Sequence, residues 1–149
     1  MEKRQLRPPS AKLFKLLYAI GLGPLVGRLV LLLTTTGRKS GQPRVTALQY
    51  EEIDGAIYLG SSRGIHADWV RNIHADQRVK IRVKDRRFDG LAEVVTDCER
   101  IADFMQVRLE RHPRMIGMIM KSEGLPEKPN RDELVDYSRK LAMVIVRPV

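Results

Sequence analysis

Apolar and polar residues alternate in short runs through the middle of this chain, and Gly, Pro, Asn and Asp residues separate the runs. Alternation with a period of two is typical of half-buried β-strands. Tight turns are favoured at Asp54-Gly55 and around Asp85-Arg86, so neighbouring runs are predicted to pair as antiparallel hairpins. The predicted strands cover residues 28–36, 45–51, 56–61, 78–84, 87–96 and 141–146.

Helices are predicted near both ends of the chain and once between the hairpins. Thr96 followed by Glu99 has the spacing of a capping box, and Asn130 followed by Glu133 repeats it. Pro113 is predicted to start a further short helix. The predicted helices cover residues 10–20, 67–75, 96–111 and 114–121.

The arrangement of these elements predicts an α+β domain built on a small β-barrel. A doubly wound parallel sheet would need strand–helix alternation and a Gly-x-Gly-x-x-Gly turn, and both are missing. With 149 residues, the chain is expected to form a single domain, residues 1–149. Its parts are a basic N-terminal helical segment at 1–28, a barrel core at 29–97, and helices with a final strand at 98–149.

Positive charge is concentrated at the N-terminal end. Residues 1–50 hold nine of the 27 Lys and Arg residues and one of the 18 acidic residues, so they carry +8 of the net charge of +9. Such a basic region favours a phosphorylated cofactor, a lipid surface or nucleic acid. No nucleic acid is expected as a partner, because aromatic residues make up only 5% and no helix-turn-helix or zinc signature is present.

The apolar stretch at 13–33 raises the question of a membrane segment. Lys15, Pro24 and Arg28 interrupt it, and its longest uncharged part is too short to span a bilayer. No signal peptide is expected, and the single cysteine, Cys98, suits a reducing cytosol. The protein is therefore expected to be cytoplasmic. Peripheral contact with the inner face of a membrane through residues 1–33 stays open, beside packing of this segment on its own domain.

The turn after the first strand gathers cations and hydroxyl groups. Arg38, Lys39 and Arg44 flank it, and Ser40 and Thr46 add hydroxyl donors. Together they could bind a phosphate through a guanidinium, an ammonium and backbone N–H groups. An ordinary solvated turn with surface cations is the alternative.

Three further features could contribute to a binding site. The loop Ser61-Ser62-Arg63-Gly64 follows a strand end and offers another cation. Trp69 and Asn72 share a helical face, which could contact a flat heteroaromatic ring or simply belong to the core. Met115 and Met118 lie in the C-terminal helical region, where core packing and an apolar ligand wall are both open.

The sequence shows no catalytic set of its own side chains. The histidines lack metal-ligand spacing and are expected to be surface or structural residues, and no nucleophile elbow or Cys/His pair is present. We therefore predict no catalytic residues and no metal site. If the protein is an enzyme, a cofactor must supply the reactivity.

The run Leu33-Thr34-Thr35-Thr36-Gly37-Arg38-Lys39-Ser40-Gly41-Gln42-Pro43-Arg44 resembles the signature of the deazaflavin (F420)-dependent nitroreductase family. The resemblance continues through 45–50, the 61–64 loop, 69–73 and 78–81, and covers residues 30–97 well. It implies a split β-barrel of the type that binds FMN, the cofactor coenzyme F420, and often a homodimer. The site residues that it implies are Arg38, Lys39, Ser40 and Arg44 for the phosphate and acidic tail, Thr46, Ser61, Ser62, Arg63 and Gly64 for the ring and ribityl chain, and Trp69 and Asn72 for the pocket wall.

The implied activity is transfer of a hydride from C5 of the reduced deazaflavin to a small apolar electrophile, such as a quinone, enone or nitro compound. Nitroimidazole-reducing members of the family carry tyrosines in the C-terminal helical region, whereas the corresponding stretch of this chain, 112–118, has none and contains Met115 and Met118. These two residues are predicted to form a more apolar acceptor pocket, which favours a quinone. The open alternatives are an FMN-dependent reductase or oxidase on the same barrel, and a non-catalytic module that binds cofactor or lipid.

Overall fold

The computed structural model describes residues 30–126 and 128–149. The predicted N-terminal helix and the basic segment 1–28 lie outside these residues. Seven antiparallel strands form one sheet in the described part, and four α-helices pack against it. The strands are β1 (Leu31–Thr36), β2 (Pro43–Leu48), β3 (Glu51–Ile53), β4 (Ala56–Ser61), β5 (Arg78–Val83), β6 (Arg86–Val95) and β7 (Ala142–Pro148). The helices are α1 (Asp68–Ala75), α2 (Cys98–Arg111), α3 (Pro113–Ser122) and α4 (Arg131–Ser138), with a 3-10 turn at Gly64–His66.

The order of the strands shows that the sheet curls. It runs β2-β1-β5-β6-β7-β4-β3, so β2 and β3 lie at opposite edges. Only Gln49 and Tyr50 separate these two strands in sequence. A chain this short reaches about 11 Å at most, since each residue spans at most ~3.6 Å. The two edges must therefore come close together, and the sheet forms the barrel that the sequence predicted.

The predicted strand at 45–51 is corrected by this geometry. Pairing with β1 ends at the Leu31–Leu48 pair, and Glu51 pairs with Tyr58 of β4 instead. The chain leaves one edge and joins the other, so a single strand becomes β2 and β3. β1 begins at Leu31, opposite the end of β2 at Leu48, and the predicted start at residue 28 lies outside the described residues.

The turns follow local chemistry with one shift. Asp54 and Gly55 both have positive φ, at 50° and 79°, which fits the predicted tight turn. The second hairpin turns at Lys84 (φ 56°) and Asp85, one residue earlier than predicted. Strand β7 extends to Pro148 beyond its predicted end, because there it pairs only with Gly90 of β6 and needs no N–H on its other side.

Two apolar clusters hold the helices on the two faces of the sheet. The first lies under α1 and contains Leu33, Leu59 and Ile73, all fully buried. The second lies under α2, α3 and α4 and contains Ile101 and Met120. β7 contributes to both by alternation, since Val144 and Val146 belong to the first cluster and Met143 and Ile145 to the second.

The start of α2 differs from its prediction. The N-cap is Asp97, whose carboxylate accepts hydrogen bonds from the backbone N–H groups of Glu99 and Arg100. The predicted cap on Thr96 is wrong, because Thr96 lies one residue outside the helix. The predicted capping box of Asn130 and Glu133 is confirmed in α4. No helix in the described part of the chain is long and apolar enough to cross a membrane.

Candidate functional site

The turn of residues 37–42 is closed by its own backbone. Gly37 N–H donates to the carbonyl of Gln42 at 2.8 Å, and Gly41 N–H donates to the carbonyl of Gly37 at 2.8 Å. Gly41 has φ 70°, where glycine is favoured. The Ser40 hydroxyl accepts a hydrogen bond of 3.2 Å from Gln42 N–H. The turn is thus a formed loop that presents its side chains outward.

Arg38 ties this turn to α1. Its guanidinium donates to Oδ1 of Asn72 at 2.8 Å and to Oδ1 of Asp68 at 3.1 Å. Its backbone N–H also reaches Asn72 Oδ1 at 3.3 Å. Asn72 in turn donates to the hydroxyl of Thr35 at 3.2 Å. Arg38 and Asn72, predicted separately as site residues, therefore form one network that fixes the turn against the helix.

Lys39 and Arg44 remain available at the surface of the same turn. Both are exposed, and among the described residues neither has an ion-pair partner. A Cβ placed on Gly37 would lie 2.7 Å from Ser40 Oγ and 3.5 Å from Arg44 Cγ. Ser40 and the stem of Arg44 therefore lie over Gly37, and their polar ends share one side of the turn.

Strand register puts Arg44 and Thr46 on the same face as this network. Arg44 is opposite Thr35, and Thr46 is opposite Leu33. Residues directly opposite in an antiparallel pair lie on the same face of the sheet. Arg44 is exposed and Thr46 is half-buried, so this edge of the face is only partly covered.

The predicted loop at 61–64 divides into buried and exposed positions. Ser61 is buried and donates to the carbonyl of Gly64 at 2.8 Å. Gly64 has φ 59°, and a Cβ there would lie 2.8 Å from the carbonyl oxygen of Lys140. Ser62 and Arg63 are exposed. The loop leads directly into α1, whose first residue, Asp68, contacts Arg38.

The remaining predicted site residues differ in burial and in whether they line a cleft. Trp69 is buried and packs in the core cluster under α1. Met115 is 38% exposed and lines a cleft of about 400 Å³, whereas Met118 is 73% exposed and does not line it. The structure thus places Met115, but not Met118, at a concave surface.

This cleft lies where the two edges of the sheet meet the corner between α2 and α3. Its lining is strongly charged, and Glu51 is at its centre with a side chain only 6% exposed. Oε1 of Glu51 lies 3.1 Å from Nε2 of His112 and 3.6 Å from Nε of Arg108. Its other oxygen lies 3.2 Å from Arg111. The full lining is Gln49, Tyr50, Glu51, Arg108, His112, Pro113, Arg114 and Met115.

Arg108 is the most deeply placed cation of this cluster. Burial lowers the pKa of its guanidinium, and the charge of Glu51 pulls the pKa back upward. Nη2 of Arg108 donates to Gln49 at 2.8 Å, and its guanidinium carbon lies 6.0 Å from the centre of the Phe104 ring. Nε of Arg108 and Oε1 of Glu51 are buried, and neither has a hydrogen-bond partner among the described residues. Unpaired buried polar atoms are costly, and in native proteins they often mark a place for a ligand or water.

Sequence reasoning missed this cluster and the role of Asp68. Glu51 and His112 are 61 positions apart in the sequence, and no spacing rule connects them. A local signal existed for Asp68, because it lies four residues before Asn72 and therefore on the same face of α1.

The arrangement at the turn fits a phosphorylated, acidic cofactor. Two cations, Lys39 and Arg44, face outward beside the Ser40 hydroxyl, and no acidic residue of the described chain pairs with them. Such a donor set suits an anion with several oxygens. The exposed Arg63 adds a cation after β4.

Fold and site together define a split β-barrel protein with a cation-rich turn. The family described as F420H(2)-dependent quinone reductase matches residues 19–118. Because this match covers more than half of the chain, the protein belongs to that family.

Comparison with individual proteins agrees at the level of family and fold. The F420H(2)-dependent quinone reductase Rv1261c of Mycobacterium tuberculosis is 38% identical over 68 residues, which cover 44% of this chain and 46% of that protein. The match thus spans about half the length of this curated relative.

Solved structures share the fold. The conserved hypothetical protein Rv2991 of Mycobacterium tuberculosis has a TM-score of 0.61 and 24% identity, covering 88% of this chain and 79% of its own. A structure described as an F420-H2 dependent reductase, FDR-A, has a TM-score of 0.52 and 23% identity, covering 79% of this chain and 94% of its own. The predicted split β-barrel is confirmed.

Proposed function

We propose that this protein binds the reduced deazaflavin coenzyme F420 and uses it to reduce a quinone. The observation that carries the proposal is the turn at 37–42, in which Arg38 is anchored to α1 while Lys39 and Arg44 face outward. The family match makes a deazaflavin the cofactor for which this turn is suited. When bound, that cofactor supplies a hydride.

In this proposal the cations take the acidic end of the cofactor. Lys39, Ser40 and Arg44 hold the phosphate and the glutamyl tail, and Arg38 holds the turn in place. Thr46 and the 61–64 loop lie along the ribityl chain and ring, and Trp69 and Asn72 support the pocket wall. The chain contributes binding and orientation, which by themselves accelerate a bimolecular reaction.

A quinone is the proposed acceptor within the predicted set of quinone, enone and nitro compounds. The family description and the curated relative's name both specify quinone reduction.

The cytoplasmic location, contact with a membrane through residues 1–33, and a homodimer stay predictions. A fold neighbour described as a domain-swapped dimer, 21% identical, encourages a test of the last.

The test is a pair of titrations followed by a turnover assay. Oxidised F420 and FMN are added separately to the purified protein while the fluorescence of Trp69, the only tryptophan, is followed. We expect F420 to bind at micromolar concentration or below, and Lys39→Ala to weaken it. Lys84→Ala, at the far hairpin turn, is the matched control and should bind as the wild type.

The outcomes separate the candidates. Oxidation of reduced F420 by a soluble naphthoquinone supports the proposal. Preferential binding of FMN would overturn the cofactor, and F420 binding without transfer to a quinone, enone or nitro compound would indicate a binding module.

A further inference from the structure

Glu51 occupies a position in the cleft that packing alone does not explain. Its side chain is 6% exposed, and its Oε1 has no partner with hydrogen-bond geometry. The carboxylate lies at the junction of the two sheet edges, directly after Gln49 and Tyr50. A buried carboxylate is costly unless cations compensate it, and here they converge from helices on the other wall.

The surrounding charges define what the carboxylate acts on. Arg108 and Arg111 come from α2, and Arg114 comes from the first turn of α3. Arg108 is oriented by Gln49, and Arg111 by the carbonyl of Glu52 at 3.0 Å. His112 lies between the two helices, with Nε2 3.1 Å from Glu51 and a side chain 44% exposed. It therefore touches both the buried carboxylate and solvent.

This geometry suits proton donation. Nε2 of His112 faces Oε1 of Glu51 at 3.1 Å, which leaves the other ring nitrogen, Nδ1, to donate. The neighbouring guanidinium groups favour an oxyanion in the same cleft. The groups that face His112 are Glu51 from β3, Arg108 and Arg111 from α2, Arg114 from α3, and Gln49 and Tyr50 from the β2–β3 connection.

We propose that this cleft is the acceptor site and that His112, beside the buried Glu51, protonates the reduced acceptor. The proposal rests on the proposed function and identifies the residue that completes its chemistry. Glu51 and Arg108 lie behind His112 as the buried charges of the same cleft.

Bound reduced F420 would supply the hydride by breaking its C5–H bond. The hydride would bring two electrons to the quinone, form an O–H bond at one oxygen and leave an oxyanion at the other. The Nδ1–H bond of His112 breaks and an O–H bond forms on that oxygen, which gives the hydroquinone. The exposed imidazole regains a proton from solvent, and oxidation of the reduced deazaflavin releases one, so no proton is consumed overall.

The main test is His112→Gln, which keeps a polar side chain but cannot titrate. His74→Gln, on the exposed side of α1, is the matched control. We expect His112→Gln to bind F420 as the wild type does and to lower kcat for quinone reduction at least about tenfold, since general acids contribute about 10²–10⁴-fold.

A second readout does not depend on the cofactor. In protein with labelled histidine side chains and no F420, a soluble naphthoquinone should shift the NMR signals of His112 and leave those of His74 in place. If the quinone leaves the His112 signals unchanged, or if His112→Gln keeps the wild-type kcat, the inference is wrong. Failure of F420 to bind the wild type would overturn the proposed function instead, while the NMR result would still report on the cleft.

Discussion

The guanidinium of Arg38 donates a 2.8 Å hydrogen bond to Oδ1 of Asn72 and so joins the turn at 37–42 to helix α1. Lys39, the next residue, is exposed and makes no such bond among the described residues. Two adjacent cations of one motif thus have different roles. Arg38 shapes the turn, and Lys39 is free to contact an anion.

This difference predicts different effects of two alanine substitutions. Arg38→Ala should lower the free energy of unfolding by about 1–2 kcal/mol, because it removes the charged, 2.8 Å hydrogen bond to the buried Asn72 and leaves only the longer backbone one. Lys39→Ala should change it by less than about 0.5 kcal/mol. Both should weaken F420 binding. Chemical denaturation and F420 titration of the same samples measure the two effects, and equal stability of both variants would contradict the anchoring role.

Gly64 is predicted to be the least replaceable glycine of the candidate site. Gly64→Ala brings a Cβ to 2.8 Å from the carbonyl oxygen of Lys140, at φ 59°. Gly41→Ala is the control, because φ is 70° there but a Cβ meets nothing within 4 Å. We expect Gly41→Ala to cost about 1–2 kcal/mol from backbone conformation alone. Gly64→Ala should cost at least about 1 kcal/mol more because of the added overlap. Denaturation curves with equal midpoints would show that the chain relaxes around Lys140.

The cap of α2 gives a third prediction. Asp97→Ala removes the acceptor of two backbone N–H groups and should destabilise the protein by about 1 kcal/mol. Thr96→Ala, one residue earlier and exposed, should change stability by less than about 0.5 kcal/mol. Thermal or chemical unfolding distinguishes the two variants. A larger loss of stability for Thr96→Ala than for Asp97→Ala would show that Thr96 is the N-cap.

We expect Tyr137 to make the folded protein less stable at alkaline pH. Burial, assisted by the negative charge of Glu123, raises the pKa of Tyr137 above its usual value. The folded protein therefore holds this proton more tightly than the unfolded chain does. The resulting stability is fully present below the ordinary tyrosine pKa of about 10 and is lost as pH rises through the higher folded value.

Tyr137→Phe should remove this component while keeping the ring that faces Lys140 at 4.8 Å. The denaturation midpoint, followed from about pH 9 to about pH 11, should fall less steeply for the variant than for the wild type. Parallel curves for the two proteins would show that other groups account for the alkaline loss.

Local sequence predicted most of the strands and the composition of the binding turn. β4 begins and ends at Ala56 and Ser61 as predicted, since alternation and the Asp54-Gly55 turn are both short-range signals. The cation-rich turn was likewise visible, because its residues are consecutive. The split of the predicted strand at 45–51 was not visible, because it depends on which strands pair across the sheet.

The sequence by itself determined the family, the alternating strands and a cluster of cations beside Ser40, because each of these depends on residues that are close together in the sequence. Only the tertiary structure decided that Arg38 is bound to Asn72, 34 positions away, while Lys39 stays exposed. It also decided that the cleft beside Met115 holds a buried Glu51 with His112 and Arg108, where the residue pattern predicted an apolar wall. The physical reason is that curling of the sheet brings its two edges to the α2–α3 corner, and contacts between residues so distant in sequence leave no periodic signal in the chain.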